Sequence, residues 1–155
     1  MSKTSGKIDM PDKEARHGLA VEDSGFVPLE LTSKPTVLVV DDEQLIRDVS
    51  TMMIEDYGGK VIQAADGTKA IEIFQSRKDE IDVVCLDFSM PGINGYETLL
   101  ELRKLKPGQP TVMVSGLRLI PEIEELWHKG EVEFLSKPFH ESELIKVIKK
   151  LSSKQ

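Results

Sequence analysis

The sequence predicts an α/β domain: a doubly wound, five-stranded parallel sheet with helices on both faces. Two observations lead to this fold class. Five short apolar runs, rich in valine, alternate along the chain with five longer segments of helical period. The runs are apolar at most positions, which is the pattern of strands covered on both faces. Five β–α units joined by right-handed crossovers place their helices on both sides of one parallel sheet.

The first unit begins just after Pro35. The β-branched run "TVLVV" predicts a buried strand. The following segment places Leu45, Val49 and Met52 at spacings of four and three, which is a helical stripe. Gly58, which comes after this segment, is a stop signal for the helix.

The other four units repeat this alternation in order. Their strands are predicted from the runs "KVIQAA", "DVVCLD", "PTVMVS" and "VEFLS". Each run is followed by a segment whose apolar residues recur at spacings of three and four, which predicts a helix. The predicted strands occupy residues 36–40, 60–65, 82–87, 110–115 and 132–136, and the predicted helices occupy residues 43–57, 67–78, 95–105, 119–130 and 141–151.

Residues 1–34 differ in character from the rest of the chain. They lack a sustained period and are scattered with glycine, proline, serine and charge, so we predict a flexible tail or linker there. Within it, only "GFVPLEL" (25–31) is a candidate for order, as a short extended piece. The domain is predicted over residues 35–152. Since no output domain follows the last helix, we expect output through contact with another protein.

Charge, hydropathy and cysteine content exclude several classes of protein. The net charge of −7 argues against direct binding of nucleic acid, which depends on neutralising phosphates with lysine and arginine. No apolar run approaches the ~20 residues that span a bilayer, so we expect no membrane insertion. The single cysteine, Cys85, lies in a predicted strand and indicates core packing in a reducing compartment. We therefore predict a cytoplasmic location.

Polar residues stand where the predicted strands end. The first strand is followed by Asp41 and Asp42, the third ends at Asp87, the fourth ends at Ser115, and Lys137 follows the fifth. The carboxyl ends of parallel strands lie at one edge of the sheet, where ligands bind near a topological switch point. We therefore expect three carboxylates, a hydroxyl and an ammonium group to converge.

Three carboxylates in one crevice repel one another, so without a cation at least one of their pKa values should rise. Oxygen-only ligands suit Mg²⁺, which keeps several waters and takes one or two protein carboxylates. Together with Lys137 and Ser115, such an ion would make a pocket for a phosphoryl group. One carboxylate can then act as a nucleophile and form an aspartyl-phosphate, and Asp87 is the central candidate.

Four stretches, "VLVVDDEQLIR", "DVVCLDFSMPGINGYE", "VMVSG" and "FLSKPF", resemble in order and spacing the receiver domains of two-component response regulators. The resemblance runs from about residue 35 to residue 152. It implies a flavodoxin-like receiver fold in a bacterial phosphorelay, with Asp87 accepting phosphate from a histidine kinase or histidine phosphotransfer protein. The protein would then be a signalling switch that controls an unknown protein target, and not an enzyme.

The resemblance also implies roles for the residues around Asp87. Asp42 would ligate Mg²⁺ directly and Asp41 largely through water, with Asp87 and the backbone carbonyl of Ser89 completing the protein ligands.

A further set of implied roles concerns the response to phosphorylation. The Ser115 hydroxyl would move onto the phosphoryl oxygens, and Phe134 matches the aromatic position that rotates inward on activation. Lys137 would pair with the phosphate, and the Lys137–Pro138 peptide bond would be cis.

Two alternatives to a phosphorylated response regulator keep the same fold. One is a receiver-like interaction module that has lost phosphorylation, although every residue that the chemistry needs is present. The other is the C-terminal receiver of a hybrid histidine kinase, which "VSG" and "FLSKPF" resemble most. Two other classes are excluded. The sequence lacks the second aspartate that a dehalogenase-type phosphatase requires, and it lacks the glycine-rich loop of a dinucleotide-binding fold.

Overall fold

The computed structural model describes residues 21–22, 25–26 and 29–153. From Thr36 onward, five strands alternate with five helices, which confirms the predicted units. The strands are β1 (Thr36–Val40), β2 (Lys60–Ala64), β3 (Val83–Asp87), β4 (Thr111–Ser115) and β5 (Glu133–Ser136). The helices are α1 (Gln44–Asp56), α2 (Gly67–Arg77), α3 (Gly95–Leu105), α4 (Pro121–His128) and α5 (Glu141–Ser152). None of these described helices combines the length and apolar character that a bilayer span requires.

All five strands are parallel and lie in the order β2-β1-β3-β4-β5. The predicted fold class is therefore confirmed. The chain builds outward from β1 to β2 and then crosses back to β3, so the strand order reverses between β1 and β3. Val40 of β1 pairs with Leu86 of β3. The residues that follow this pair, Asp41 just past β1 and Asp87 at the end of β3, consequently lie at the same level, beside the switch point.

Two apolar cores cover the two faces of the sheet. One contains residues of α1 and α5, such as Ile54 and Ile148, packed on alternate residues of the strands. The other contains residues of α2, α3 and α4, such as Phe74 and Leu99, packed on the intervening strand residues. Cys85 is buried in the first core, as predicted. Burial on both faces holds the strand ends, and with them the polar residues, in fixed positions.

Helix α1 presents an apolar stripe to solvent. Ile54 is fully buried and anchors this helix to the sheet. In contrast, Leu45, Val49 and Met52 are 72%, 38% and 65% exposed, so the stripe read from the sequence lies on the outer side of the helix. Sequence spacing alone identified a stripe but not the face on which it lies. Because these positions are three and four residues apart, the three side chains lie next to one another on the surface of the helix.

The segment of the chain before β1 also packs against the domain. Leu29 and Leu31 are buried in the core beneath α1 and α5. The amide of Leu31 donates to the carbonyl of Tyr57 at 2.8 Å, which ties this segment to the end of α1. The packed chain thus starts before residue 34, the end of the predicted tail. Further upstream, Val21–Glu22 pairs antiparallel with Gly25–Phe26, and residues 1–20 lie outside the described residues.

Candidate functional site

Three aspartates meet at the carboxyl ends of β1 and β3. Asp41 and Asp87 are almost fully buried, at 3% and 4% exposure, whereas Asp42 is exposed. One carboxylate oxygen from each of the three lies within 4.8 Å of the other two. The structure therefore brings together the three carboxylates that the sequence placed at these strand ends.

Lys137 joins two of these carboxylates. Its Nζ donates a hydrogen bond to Asp41 Oδ2 at 2.8 Å and lies 3.2 Å from Asp87 Oδ1. The other oxygen of Asp41, Oδ1, accepts from the backbone amide of Glu43 at 2.9 Å. Asp41 is thus held at both oxygens. Asp87 has an ammonium partner on one side, and the exposed Asp42 stands on the solvent side of the cluster.

The pKa of Asp87 is raised from 3.8 to about 6. Burial is the main cause, and the negative charge of Asp41 adds to it, while Lys137 acts in the opposite direction. Burial also lowers the pKa of Lys137, but hydrogen bonding to Asp41 and the charge of Asp87 outweigh it and raise that pKa overall. The pKa of Asp87 thus rises as expected for one carboxylate of the cluster, with burial contributing more than the neighbouring carboxylates. A cation would relieve this crowding.

The donor set fits a hard divalent cation. Three carboxylates offer oxygen atoms at short mutual distance, one of them from the solvent side. Oxygen donors of this kind suit Mg²⁺, which keeps several water ligands of its own. The negative charges of Asp41 and Asp42 both act to raise the pKa of Asp87, after the larger effect of burial, and a cation bound among the three carboxylates would oppose their contribution.

Lys137 is placed by the loop between β5 and α5. Its backbone amide donates to the carbonyl of Ser115 at 2.9 Å, which continues the pairing of β4 with β5 beyond the strand. The Lys137–Pro138 peptide bond is cis. The hydrogen bond of the Lys137 amide keeps the ends of β4 and β5 adjacent, and the lysine side chain is turned toward the aspartates.

The Ser115 hydroxyl is engaged with its own loop. Ser115 is buried, and its Oγ accepts from the amide of Leu117 at 3.0 Å and donates to the Leu117 carbonyl at 3.2 Å. Its position at the end of β4 agrees with the sequence, but its hydrogen bonds are made within the turn after the strand. A move of this hydroxyl toward Asp87 would break both of them.

Phe134 lies on β5 and is partly buried against the core of α2, α3 and α4. Its ring contacts that of Trp127 on α4, with ring centroids 5.5 Å apart and a tilted geometry. Trp127 is 38% exposed. The two rings form a contact between α4 and β5 that any rotation of Phe134 would change.

Ser89 lies two residues after Asp87, in the loop that follows β3, and it is exposed.

The first residue of α3, Gly95, has a role that the sequence did not reveal. At the start of α3, a Cβ added to Gly95 would lie 2.5 Å from the Asp87 carbonyl oxygen and 2.7 Å from Phe88 Cα. The Gly95 amide donates to the Phe88 carbonyl at 2.8 Å. Only glycine allows α3 to approach the end of β3 so closely, and the sole sequence signal is a glycine at the first helical position.

A family model and one curated relative identify what this chain resembles. The model, described as a response regulator receiver domain, matches residues 37–149. The sensor kinase CckA of Brucella abortus is 33% identical over 126 residues, which cover 81% of this chain and 13% of CckA. This chain thus spans only a small part of that relative's length.

Two solved structures share the fold. The receiver domain of the hybrid histidine kinase CckA superposes with a TM-score of 0.64 at 29% identity, covering 76% of this chain and 98% of that chain. The CheX-CheY-BeF3-Mg+2 complex from Borrelia burgdorferi gives a TM-score of 0.69 at 25% identity, covering 84% of this chain and 93% of that chain.

Proposed function

The chain belongs to the response regulator receiver domain family, and from this membership we propose that it is the phosphoacceptor of a two-component phosphorelay, phosphorylated on Asp87. One observation carries the proposal above all: the Asp87 carboxylate lies 3.2 Å from the ammonium of Lys137, at the switch point of the sheet. A buried carboxylate that is crowded by two others and paired with a lysine is suited to accept a phosphoryl group. The phosphodonor is a histidine kinase or a histidine phosphotransfer protein.

Four residues would hold the Mg²⁺ that this reaction needs. Asp42 and Asp87 would supply direct carboxylate ligands, Asp41 would bind largely through water, and Ser89 would contribute its backbone carbonyl. The three carboxylates within 4.8 Å of one another support this assignment. The similarity to a complex named for BeF3 and Mg²⁺ supports it as well. When bound, Mg²⁺ supplies charge neutralisation for the transferring oxygens.

The transfer itself uses an ionised Asp87. One of its carboxylate oxygens attacks the phosphorus atom while the bond from phosphorus to the donor nitrogen breaks, and the donor histidine leaves. Lys137 pairs with the negative charge on the transferred group, at the cost of its hydrogen bond to Asp41. Later attack by water breaks the acyl phosphate bond, which restores the Asp87 carboxylate and releases inorganic phosphate.

Phosphorylation is coupled to a change of conformation through Ser115 and Phe134. The Ser115 hydroxyl leaves the Leu117 backbone and donates to a phosphoryl oxygen, and Phe134 rotates inward from its contact with Trp127. The hydrogen bonds of Ser115 within its own loop support an unphosphorylated starting state. The output is a changed surface at α4 and β5, which a protein target recognises.

A protein phosphodonor docks on the exposed face of α1. We define the α1 apolar surface as Leu45, Val49 and Met52, all of them at least 38% exposed. Through Val49 it continues into an open groove of about 270 Å³ whose lining includes Lys137 and Phe139. A partner that brings a phosphoryl group to Asp87 must approach past this groove. An apolar helical face on the donor, next to the phosphorylated histidine, is therefore the partner chemistry that fits.

The decisive test is chemical phosphorylation. Incubation with acetyl phosphate and Mg²⁺ should add one phosphate per chain, removable by alkali, and mass spectrometry should place it on Asp87. Asp87→Asn should abolish labelling, EDTA should prevent it in the native protein, and Lys137→Ala should leave slow labelling. No labelling with Mg²⁺ present would favour an interaction module that has lost phosphorylation. A label found on a serine would contradict the proposal directly.

A second candidate, the receiver of a hybrid histidine kinase, rests on the similarity to CckA. Its chemistry at Asp87 would be the same, and only the phosphodonor's attachment to the same polypeptide would differ. The location in the cytoplasm stays a prediction from the sequence.

A further inference from the structure

Arg47 on α1 reaches back over the end of β1. Its Nη1 donates to the backbone carbonyl of Asp41 at 2.9 Å, and its Nε donates to Gln63 Oε1 at 3.1 Å. Gln63 lies on β2 and is itself fixed, because its Nε2 donates to Thr51 Oγ1 at 2.8 Å. The guanidinium group thus connects α1, the end of β1 and the edge strand β2, with two of its donors in defined directions.

The carbonyl that Arg47 binds belongs to the peptide group between Asp41 and Asp42. Asp41 lies one residue past Val40, the last residue of β1, while its amide still donates to the Ala64 carbonyl at 3.2 Å. Arg47 therefore fixes the other end of this residue. The plane of the peptide that follows Asp41 sets the direction in which the Asp42 side chain leaves the backbone.

We propose that Arg47, supported by Gln63, is a positioning residue for the metal site: it fixes the Asp41–Asp42 peptide so that both carboxylates face the cation. The inference rests on the Mg²⁺ site of the proposed function and adds two residues that do not touch the metal. Their contribution is preorganisation, because a loosely held Asp42 must be ordered when the cation binds.

The sign of the effect separates positioning from simple electrostatics. Arg47 is a cation near a cation site, so by Coulomb's law alone its removal should strengthen Mg²⁺ binding. Positioning predicts the opposite. Gln63 carries no charge, so a change there has no electrostatic effect of this kind and reports on the support of Arg47 alone.

The test measures the Mg²⁺ dissociation constant by NMR titration, together with the melting temperature in EDTA. Arg47→Met should weaken binding about fivefold, which is less than the loss of a whole charge-assisted hydrogen bond, because removal of the positive charge acts in the opposite direction. Gln63→Leu should weaken it about twofold to threefold in the same direction. Arg47→Lys keeps the charge but cannot reach both partners, and should resemble Gln63→Leu. The matched control is Arg77→Met. Arg77 is an exposed arginine at the end of α2 that pairs with Glu80, and its removal should not weaken binding.

Equal or tighter Mg²⁺ binding by Arg47→Met and Gln63→Leu would overturn the inference. If Arg47→Met does not fold, Arg47→Lys and Gln63→Leu give the same decision. Asp42→Asn distinguishes a failure of the positioning role from a failure of the metal site itself. Weaker binding in Asp42→Asn with unchanged binding in the Arg47 and Gln63 variants refutes positioning alone, whereas unchanged binding in Asp42→Asn refutes the metal site, and the positioning role with it.

Discussion

The ammonium of Lys137 lies between two buried carboxylates, 2.8 Å from Asp41 Oδ2 and 3.2 Å from Asp87 Oδ1. The side chains come from positions 96 residues apart for Lys137 and Asp41. Their meeting depends on the parallel sheet, which places the ends of β1, β3 and β5 at the same edge. The single positive charge of Lys137 balances only part of the negative charge of the three carboxylates. The carboxylates therefore repel one another until a metal cation binds.

The raised pKa of Asp87 predicts how stability depends on pH. The pKa of Asp87 is about 6 in the folded chain, above its ordinary value of 3.8, so the folded state binds the proton more tightly than the unfolded state. The contribution of Asp87 to stability without Mg²⁺ should therefore fall as pH rises from about 4 to above 6. At pH 7.5, Asp87→Asn should be more stable than the native chain by about 1 kcal/mol, with allowance for solvent screening.

Urea unfolding in EDTA at pH 5 and pH 7.5 measures this difference. The two proteins should be closer in stability at pH 5 than at pH 7.5, because the native Asp87 is then largely protonated. Millimolar Mg²⁺ at pH 7.5 should stabilise the native chain and have a smaller effect on Asp87→Asn. A stability difference between the two proteins that does not vary with pH would contradict the raised pKa.

Gly95 predicts a steric requirement at the end of β3. In Gly95→Ala, the new methyl group would meet backbone atoms of Asp87 and Phe88, which cannot rotate away. We expect a loss of about 1–3 kcal/mol of stability and slower labelling by acetyl phosphate, because α3 or the end of β3 must shift. Gly116→Ala is the matched control. Its new methyl would lie 3.7 Å from Lys137 Cβ, an ordinary contact, and the variant should fold and label normally.

The sequence predicted the fold and the charged site for one physical reason. Strands covered on both faces are apolar, so aspartates directly after them are conspicuous, and parallel strands must end at the same edge. The roles of Gly95 and Arg47 could not be read in this way, because each depends on how a helix is placed against the strand before it, which the apolar pattern does not specify. Likewise, the α1 stripe was visible as spacing, but its exposure depends on how the helix is rotated against the sheet.

The α1 apolar surface predicts a separation between chemical and protein phosphodonors. Leu45→Glu and Met52→Glu place a charge on side chains that are 72% and 65% exposed, so folding should change little. Labelling by acetyl phosphate should be unaffected, since that donor needs no protein contact. Labelling by a phosphorylated histidine phosphotransfer protein that modifies the native chain should slow by about tenfold or more.

Leu100→Glu is the control for this experiment. Leu100 is 41% exposed on α3, away from the α1 surface, and its variant should accept phosphate from both donors at the native rate. Equal rates with the protein donor for native, Leu45→Glu and Met52→Glu chains would show that the donor docks elsewhere.

Trp127, the single tryptophan, offers a direct readout of the switch. Its ring contacts Phe134 at a centroid distance of 5.5 Å, so inward rotation of Phe134 should change the fluorescence of the indole. Ser115→Ala removes the hydroxyl that would hold the phosphorylated state, yet it leaves Asp87 and Lys137 in place. It should therefore take up phosphate, verified by mass spectrometry, while losing at least about half of the fluorescence change. Ser76→Ala, the same substitution at an exposed position of α2, should keep the full change. A full fluorescence response in phosphorylated Ser115→Ala would separate Ser115 from the switch, and an unchanged signal in the phosphorylated native chain would argue against any rotation of Phe134.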